Sequence, residues 1–274
     1  MQLSTKLSQV LSDVVNASMR DRGPIAVAFS GGIDSSLLAT VCKKNGVPVT
    51  LLTIGFPQSH DVCFSQQIAS KLNLDHRINM LEENDFYENL GKVIKKVDCE
   101  NISHIENCIA FFYIAKFAQE RGFRTVLSAN GCDELFCGYD IYRATFDKGR
   151  TRLMQLMEEK ILNEFRLIHE IDKTVNDFGV KINQPFLSNK IIAFSRDIPI
   201  EEKIRGSDDY LRKRILRKVA RLLNVPKEST IKPKKAMQYG TKIHKKVRKY
   251  LDIMSIYYNL IFLCFYNTLV SSKC

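Results

Sequence analysis

The eight cysteines of this 274-residue sequence (Cys42, Cys63, Cys99, Cys108, Cys132, Cys137, Cys264 and Cys274) contain no C-x-x-C pair. That excludes a zinc ribbon, an iron–sulfur site of the usual spacing and a two-cysteine sulfur relay. Internal repeats and low-complexity linkers are missing too, and hydrophobic residues at 45% with charged residues at 26% match an ordinary folded protein. Collagen-like, mucin-like and disordered classes are thereby excluded. The opening MQLSTKLSQVLSDVV lacks the basic and apolar regions of a secretory signal, so the expectation is a cytoplasmic protein with free thiols.

What is present in excess is positive charge, +11 overall, and it is not spread evenly. Between Glu201 and Lys249 stand 17 Lys or Arg against 5 Asp or Glu, while the other residues sum to −1. A basic stretch of this kind attracts phosphate, whether on a nucleotide, on RNA or on an anionic membrane.

Apolar spacing predicts a helix over 3–20, ended by Gly23 and Pro24. The continuous apolar run 25–29 then reads as a strand buried on both faces. The alternation continues with helix 34–44, strand 47–54, helix 59–72, strand 76–80, helices 83–97 and 105–121, and strand 124–128. Strands separated by helices of this length pair in parallel through right-handed crossovers, which predicts an α/β doubly wound sheet. Beyond about residue 142 the strand signal fades. Helices are expected over 153–170, 187–194 and 209–223, with 182–186 extended, giving a helical C-terminal half. The expected organisation is an N-terminal helix over 1–22, one α/β domain over 23–250 and an apolar tail over 251–274.

Ser30-Gly31-Gly32-Ile33-Asp34-Ser35 lies where the first strand gives way to a helix. Glycines let the backbone approach an anion, and the helix N-terminus adds the positive end of its dipole. Ser30 and Ser35 can donate to phosphate oxygens, and Asp34 beside a phosphate makes sense with Mg²⁺ between them. The bland alternative is a glycine turn with a capping Ser or Asp. After strand 124–128 comes Ala129-Asn130-Gly131-Cys132-Asp133-Glu134-Leu135-Phe136-Cys137-Gly138-Tyr139. Loops at the carboxyl ends of neighbouring strands converge on one crevice, so Asp34 and Asp133 could share a metal. Lys232-Pro233-Lys234-Lys235 begins a basic loop that ends at Gly240. Tyr139 and Tyr142 read as packing and hydrogen-bonding groups. His60, His76, His104 and His244 have no ligand spacing and read as surface or capping residues.

The S-G-G-x-D-S string resembles the signature of the N-type ATP pyrophosphatases, whose fold is of the adenine nucleotide alpha hydrolase type. With Pro185-Phe186-Leu187 and the stretch from Ser128 to Tyr139, the set resembles the synthetase domain of asparagine synthetases from about Gly23 to Gly240. The resemblance implies that Ser30, Gly31, Gly32, Asp34 and Ser35 cradle pyrophosphate, that Asp34 and Asp133 bind Mg²⁺, and that Lys234 holds pyrophosphate. Backbone groups near Ala28, Ile54, Ser128 and Ala129 would hold the adenosine of ATP. The implied chemistry is attack of a carboxylate, aspartate by analogy, on the α-phosphate, followed by displacement of AMP by ammonia.

Departures from that pattern fall in the acceptor half. Asn130 stands where the family's S-G-E-G stretch carries a glutamate tied to acyl transfer, Cys137 replaces the first glycine of G-G-Y, and Lys181, Asn183 and Ser188 replace Glu, Arg and Asp. Glutamine-dependent members begin with a cysteine and a glutaminase domain. This sequence begins Met1-Gln2, so ammonia is expected from solvent or from a separate glutaminase subunit. The uncharged run 253–270 just reaches the length of a membrane span, although a buried element or subunit contact fits it better. Two other functions stay open: a tRNA-modifying enzyme, prompted by the basic segment and less favoured, and a degenerate nucleotide-binding scaffold, prompted by Asn130.

Overall fold

The computed structural model describes residues 2–18, 23–98, 101–231 and 237–255. Five parallel strands form one sheet in the order β3-β2-β1-β4-β5, where β1 is Ile25–Ala28, β2 Val49–Gly55, β3 Asp75–Met80, β4 Thr125–Leu127 and β5 Lys181–Asn183. Successive strand side chains point to opposite faces. Ile25, Val27, Val49, Leu51 and Leu127 enter one apolar cluster, and Ala26, Leu52, Ile54, Val126 and Ile182 enter another. Both faces are therefore covered, which is why β1 and β2 read as largely apolar runs.

One face carries α1 (Leu3–Ser18), α2 (Ile33–Lys44), α3 (His60–Leu72), α9 (Asn189–Asp197) and α10 (Arg214–Leu222), whose apolar residues build the first cluster. α1 contributes Leu7, Leu11, Val14 and Val15, all buried, and packs on α2, α9 and α10. The opposite face carries α4 (Glu83–Lys96), α5 (Ile102–Glu120) and the 26-residue α8 (Arg150–Val175). Between β4 and α8 lie two short helices, α6 (Cys132–Leu135) and α7 (Asp140–Phe146); α11 (Lys227–Ile231) and α12 (Met237–Gly240) follow α10.

Of the extended segment expected at 182–186, the first part belongs to β5, a fifth strand that joins the same sheet beside β4 through Thr125↔Lys181, Val126↔Ile182 and Leu127↔Asn183, whereas Pro185–Leu187 form a 3-10 turn. Only Ile182 of its three residues is buried, so it carries too little apolar signal to stand out. Asn183 Nδ2 donates to the Ser18 carbonyl at 3.3 Å, and the Ser188 hydroxyl accepts from Ile191 N at the start of α9. The apolar run 253–270 falls almost wholly outside the described residues; among those described, no helix is long and apolar enough to cross a membrane.

Candidate active site

The sheet order reverses between β1 and β4, because β1 connects outward to β2 on one side and β4 to β5 on the other. Crevices at such a switch point, beyond the carboxyl ends of the strands, are where open α/β sheets bind ligands. A cavity of about 220 Å³ opens there. Its walls include Ala28, Ser30, Asp34, Ser35 and Ile54 from the β1 and β2 side, and Ser128, Ala129, Asn130 and Asp133 from the loop after β4. Gly31 and Gly32 lie in the same loop as Ser30. Lys234 lies outside the described residues.

The β1 loop is tied in place by its own serines. Ser30 N donates to Ser35 Oγ, Gly32 N donates to Ser30 Oγ and Ser35 Oγ donates to the Gly32 carbonyl, each at 3.3 Å. Gly31 adopts φ +77°, and a Cβ there would press on the backbone of Phe64 and Ser65 at 3.2 Å, so only glycine fits. Its carbonyl accepts from Ser36 Oγ at 3.0 Å and from Ser229 Oγ of α11 at 2.8 Å. No side chain caps α2, so its N-terminal N–H groups remain directed at the crevice.

Asp34 and Asp133 do converge, and the group between them is a cation that the sequence concealed. Lys213 Nζ lies 2.5 Å from Asp34 Oδ2 and 2.7 Å from Asp133 Oδ1, with its side chain 2% exposed. Arg212 and Lys213 both take left-handed backbone, φ +47° and +48°. For non-glycine residues that costs of order 1 kcal/mol or more each. Arg212 holds the turn by donating to the Gly138 carbonyl and to Asp140, and Arg217 donates to the carbonyls of Leu211, Arg212 and Thr230. A Cβ at Gly138 would overlap Asp133 Oδ1 and Lys213 Cε, which gives that glycine a packing reason. Cys137 before it has φ +56°, the conformation for which glycine is the easier residue. Elsewhere in the basic segment Arg214 pairs with Asp209, Lys218 with Glu202, and Lys246 and Lys249 with Glu83.

One further part of the cavity wall is acidic and polar. Glu134 and Glu164, 3% and 5% exposed, both line it. Burial raises both carboxyls above the ordinary range, and for Glu134 the charge on Glu164 adds to the effect. Tyr139, which also lines the cavity, donates its hydroxyl to Glu134 Oε1, and Tyr142 donates to the Glu134 carbonyl at 3.2 Å. Tyr142 is thus the packing group expected, while Tyr139 also faces the cavity. Asn130 is held on both sides: its Oδ1 accepts from Ser128 Oγ and its Nδ2 donates to Glu164 Oε1 at 2.6 Å.

His104 corrects the expectation of a surface or capping role. It is 6% exposed, lines the cavity and meets Asn163 Nδ2 at 3.1 Å through Nε2, and burial lowers its pKa. It sits on α5, whose apolar residues run all around the helix, so helical position alone did not separate a wall residue from a surface one. His60, His76 and His244 bond to Asp61, Thr53 and Glu106 respectively. Among the described residues no group of three or more His, Cys, Asp or Glu is arranged to hold a metal.

The asparagine synthase family matches residues 6–160 and 147–255 of this chain. A Methanocaldococcus jannaschii protein named for glutamine-hydrolysing asparagine synthetase is 28% identical over 279 aligned positions, covering 89% of this chain and 51% of that protein. Asparagine synthetase B of Escherichia coli is 24% identical, covering 77% of this chain and 40% of its own length. The chain therefore spans about half, or less, of the curated relatives it matches. Among solved structures, the NMN synthetase of Francisella tularensis aligns at 17% identity and a TM-score of 0.48, covering 86% of this chain and 77% of that one. The ammonia-dependent NAD synthetase of Campylobacter jejuni aligns at 16% and 0.37, covering 73% and 98%. With a family match running through both the β1 loop and the loop after β4, the chain belongs to the asparagine synthase family.

Proposed function

We propose that this chain uses ATP to adenylate a carboxylate substrate, aspartate or a close analogue, and then passes the acyl group to ammonia to form an amide. The observation that carries the reading is the convergence, at the switch point of the sheet, of the Ser30–Ser35 loop with the Asp34–Lys213–Asp133 cluster. The loop N–H groups and the start of α2 suit the phosphates, and Ala28, Ile54, Ser128 and Ala129 suit adenosine. Lys213, held between two carboxylates by the Arg212 turn, is a fixed positive charge beside the place where pyrophosphate would depart.

The residues present fit Mg²⁺. Asp34 Oδ1 is buried and accepts no hydrogen bond among the described residues, so one carboxylate oxygen stands ready. Two carboxylates against one ammonium leave net negative charge, and Mg²⁺ commonly takes one or two carboxylates and completes its shell with phosphate and water. Asp34 and Asp133 would hold the ion, which would neutralise charge on the leaving pyrophosphate. Lys213 would keep both carboxylates from repelling each other.

The purified chain, incubated with ATP, Mg²⁺, aspartate and ammonium, is expected to release AMP, pyrophosphate and asparagine in equal amounts. Pyrophosphate released at the same rate without aspartate, or AMP formed with no amide, would remove the aspartate reading. The chain's engaged arginines and lysines make RNA the weaker alternative, because Arg212, Lys213, Arg214, Arg217 and Lys218 all satisfy partners inside the fold.

A further inference from the structure

Asn130 leaves the family's S-G-E-G stretch without its carboxylate, yet the structure does not leave the cavity without one. Asn130 Nδ2 reaches across to Glu164 Oε1, 34 residues later on α8, at 2.6 Å. The Asn130 amide is oriented for this by the Ser128 hydroxyl on its other side. Glu164 is 5% exposed and lines the same cavity as the β1 loop. The charged and titratable groups around it are Glu134, the Tyr139 hydroxyl on Glu134, His104, which lines the same cavity and meets the neighbouring Asn163, Lys160, whose Nζ lies 5.8 Å from the Tyr139 ring, and, beyond Glu134, Lys213, which is held by Asp34 and Asp133. No lysine or arginine lines the cavity among the described residues. A cation therefore suits this wall better than an anion does.

We propose that Glu164 replaces the missing carboxylate at position 130, binding the ammonium form of the nucleophile and taking its proton before acyl transfer. The inference rests on the adenylation and amidation reading above. Ammonium at neutral pH has no lone pair to attack with. One of its protons passes to the Glu164 carboxylate, and the resulting ammonia forms the new C–N bond to the acyl carbon. The C–O bond to AMP breaks, AMP leaves with that electron pair, and the nitrogen loses its second surplus proton to water. Glu164 then returns its proton to solvent. Burial raises the proton affinity of Glu164, which makes it a better base than an exposed glutamate. Asn130 acts as a positioning residue through its amide hydrogen bond.

The test compares wild type with Glu164→Gln in three reactions: aspartate-dependent pyrophosphate–ATP exchange, amide formation with ammonium, and hydroxamate formation with hydroxylamine, which is already unprotonated at neutral pH. The expected result is exchange and hydroxamate formation within about threefold of wild type, with ammonium-dependent amide formation down by about 100-fold or more. The double variant N130E/E164Q, which puts a carboxylate at position 130 of the Ser128–Gly131 stretch, is expected to regain ammonium-dependent turnover. Undiminished amide formation by Glu164→Gln would overturn the assignment. So would equal loss in all three reactions, which marks a residue needed only for the fold or for adenylation. No exchange by wild type with any carboxylate would instead sink the adenylation reading itself, and this assignment with it.

Discussion

Lys213 shows how a residue's role can invert its appearance. In the sequence it is one more cation in a run of 17, and such residues are ordinarily solvated. In the fold it is 1% exposed and neutralises two carboxylates, one of them 179 positions away. Replacing it with methionine would leave both carboxylates facing each other without a counter-charge. Removing one partner of a buried pair costs about 3–5 kcal/mol. Lys213→Met is therefore expected to lower the denaturant midpoint sharply, and an unchanged midpoint would show that the cluster is not held by this cation. Glu164 was hidden for a related reason: in MEEKILNEFRL it looks like one of several acids on the exposed face of a helix. Asp34 and Asp133 were legible because they sit inside loop motifs whose strand-to-helix context can be read locally, whereas their cation is supplied by a distant turn.

At the scale of elements, the alternation through residue 128 was legible because β1, β2 and β4 are mostly buried apolar runs and each crossover helix is long, while β3, with no fully buried residue, was legible from its place in that alternation. β5 was not, since three residues with one buried side chain leave no period to read. A second concealed feature lies where α7 and α8 meet the turn at Ile200–Glu202. Cys137, Tyr142, Leu153, Leu156, Met157, Ile200 and Ile204 form a small satellite core there. Lys203, 2% exposed, borders it, and burial lowers its pKa to about 8 despite the nearby Glu158 carboxylate. Because the folded pKa is below the unfolded value, the unfolded chain binds more protons between about pH 8 and the ordinary lysine range, and stability rises with pH there. Lys203→Met is expected to stabilise the protein by about 1–3 kcal/mol at pH 7, from the desolvation it removes. That gain should shrink as pH rises through the wild-type lysine's titration. A variant less stable than wild type at pH 7, or a gain that does not change with pH, would contradict this.

For the molecule as a whole, part of the basic segment that first suggested a polyanionic partner is engaged within the fold. Arg212 and Arg217 fasten the turn that presents Lys213, and Lys246 and Lys249 clamp Glu83 at the start of α4. Part of the charge surplus thus belongs to the candidate site, where the Arg212–Arg217 turn carries Lys213 to Asp34 and Asp133. The central claim is that this crevice adenylates a carboxylate. Radiolabelled pyrophosphate–ATP exchange across a panel of amino acids tests it most directly, because it reports formation of the acyl-adenylate without needing the acceptor step. Exchange is expected to depend on aspartate or a close analogue and to be abolished in both Asp34→Ala and Asp133→Ala, whereas ATP binding with no exchange for any amino acid would show that the crevice does not adenylate a carboxylate.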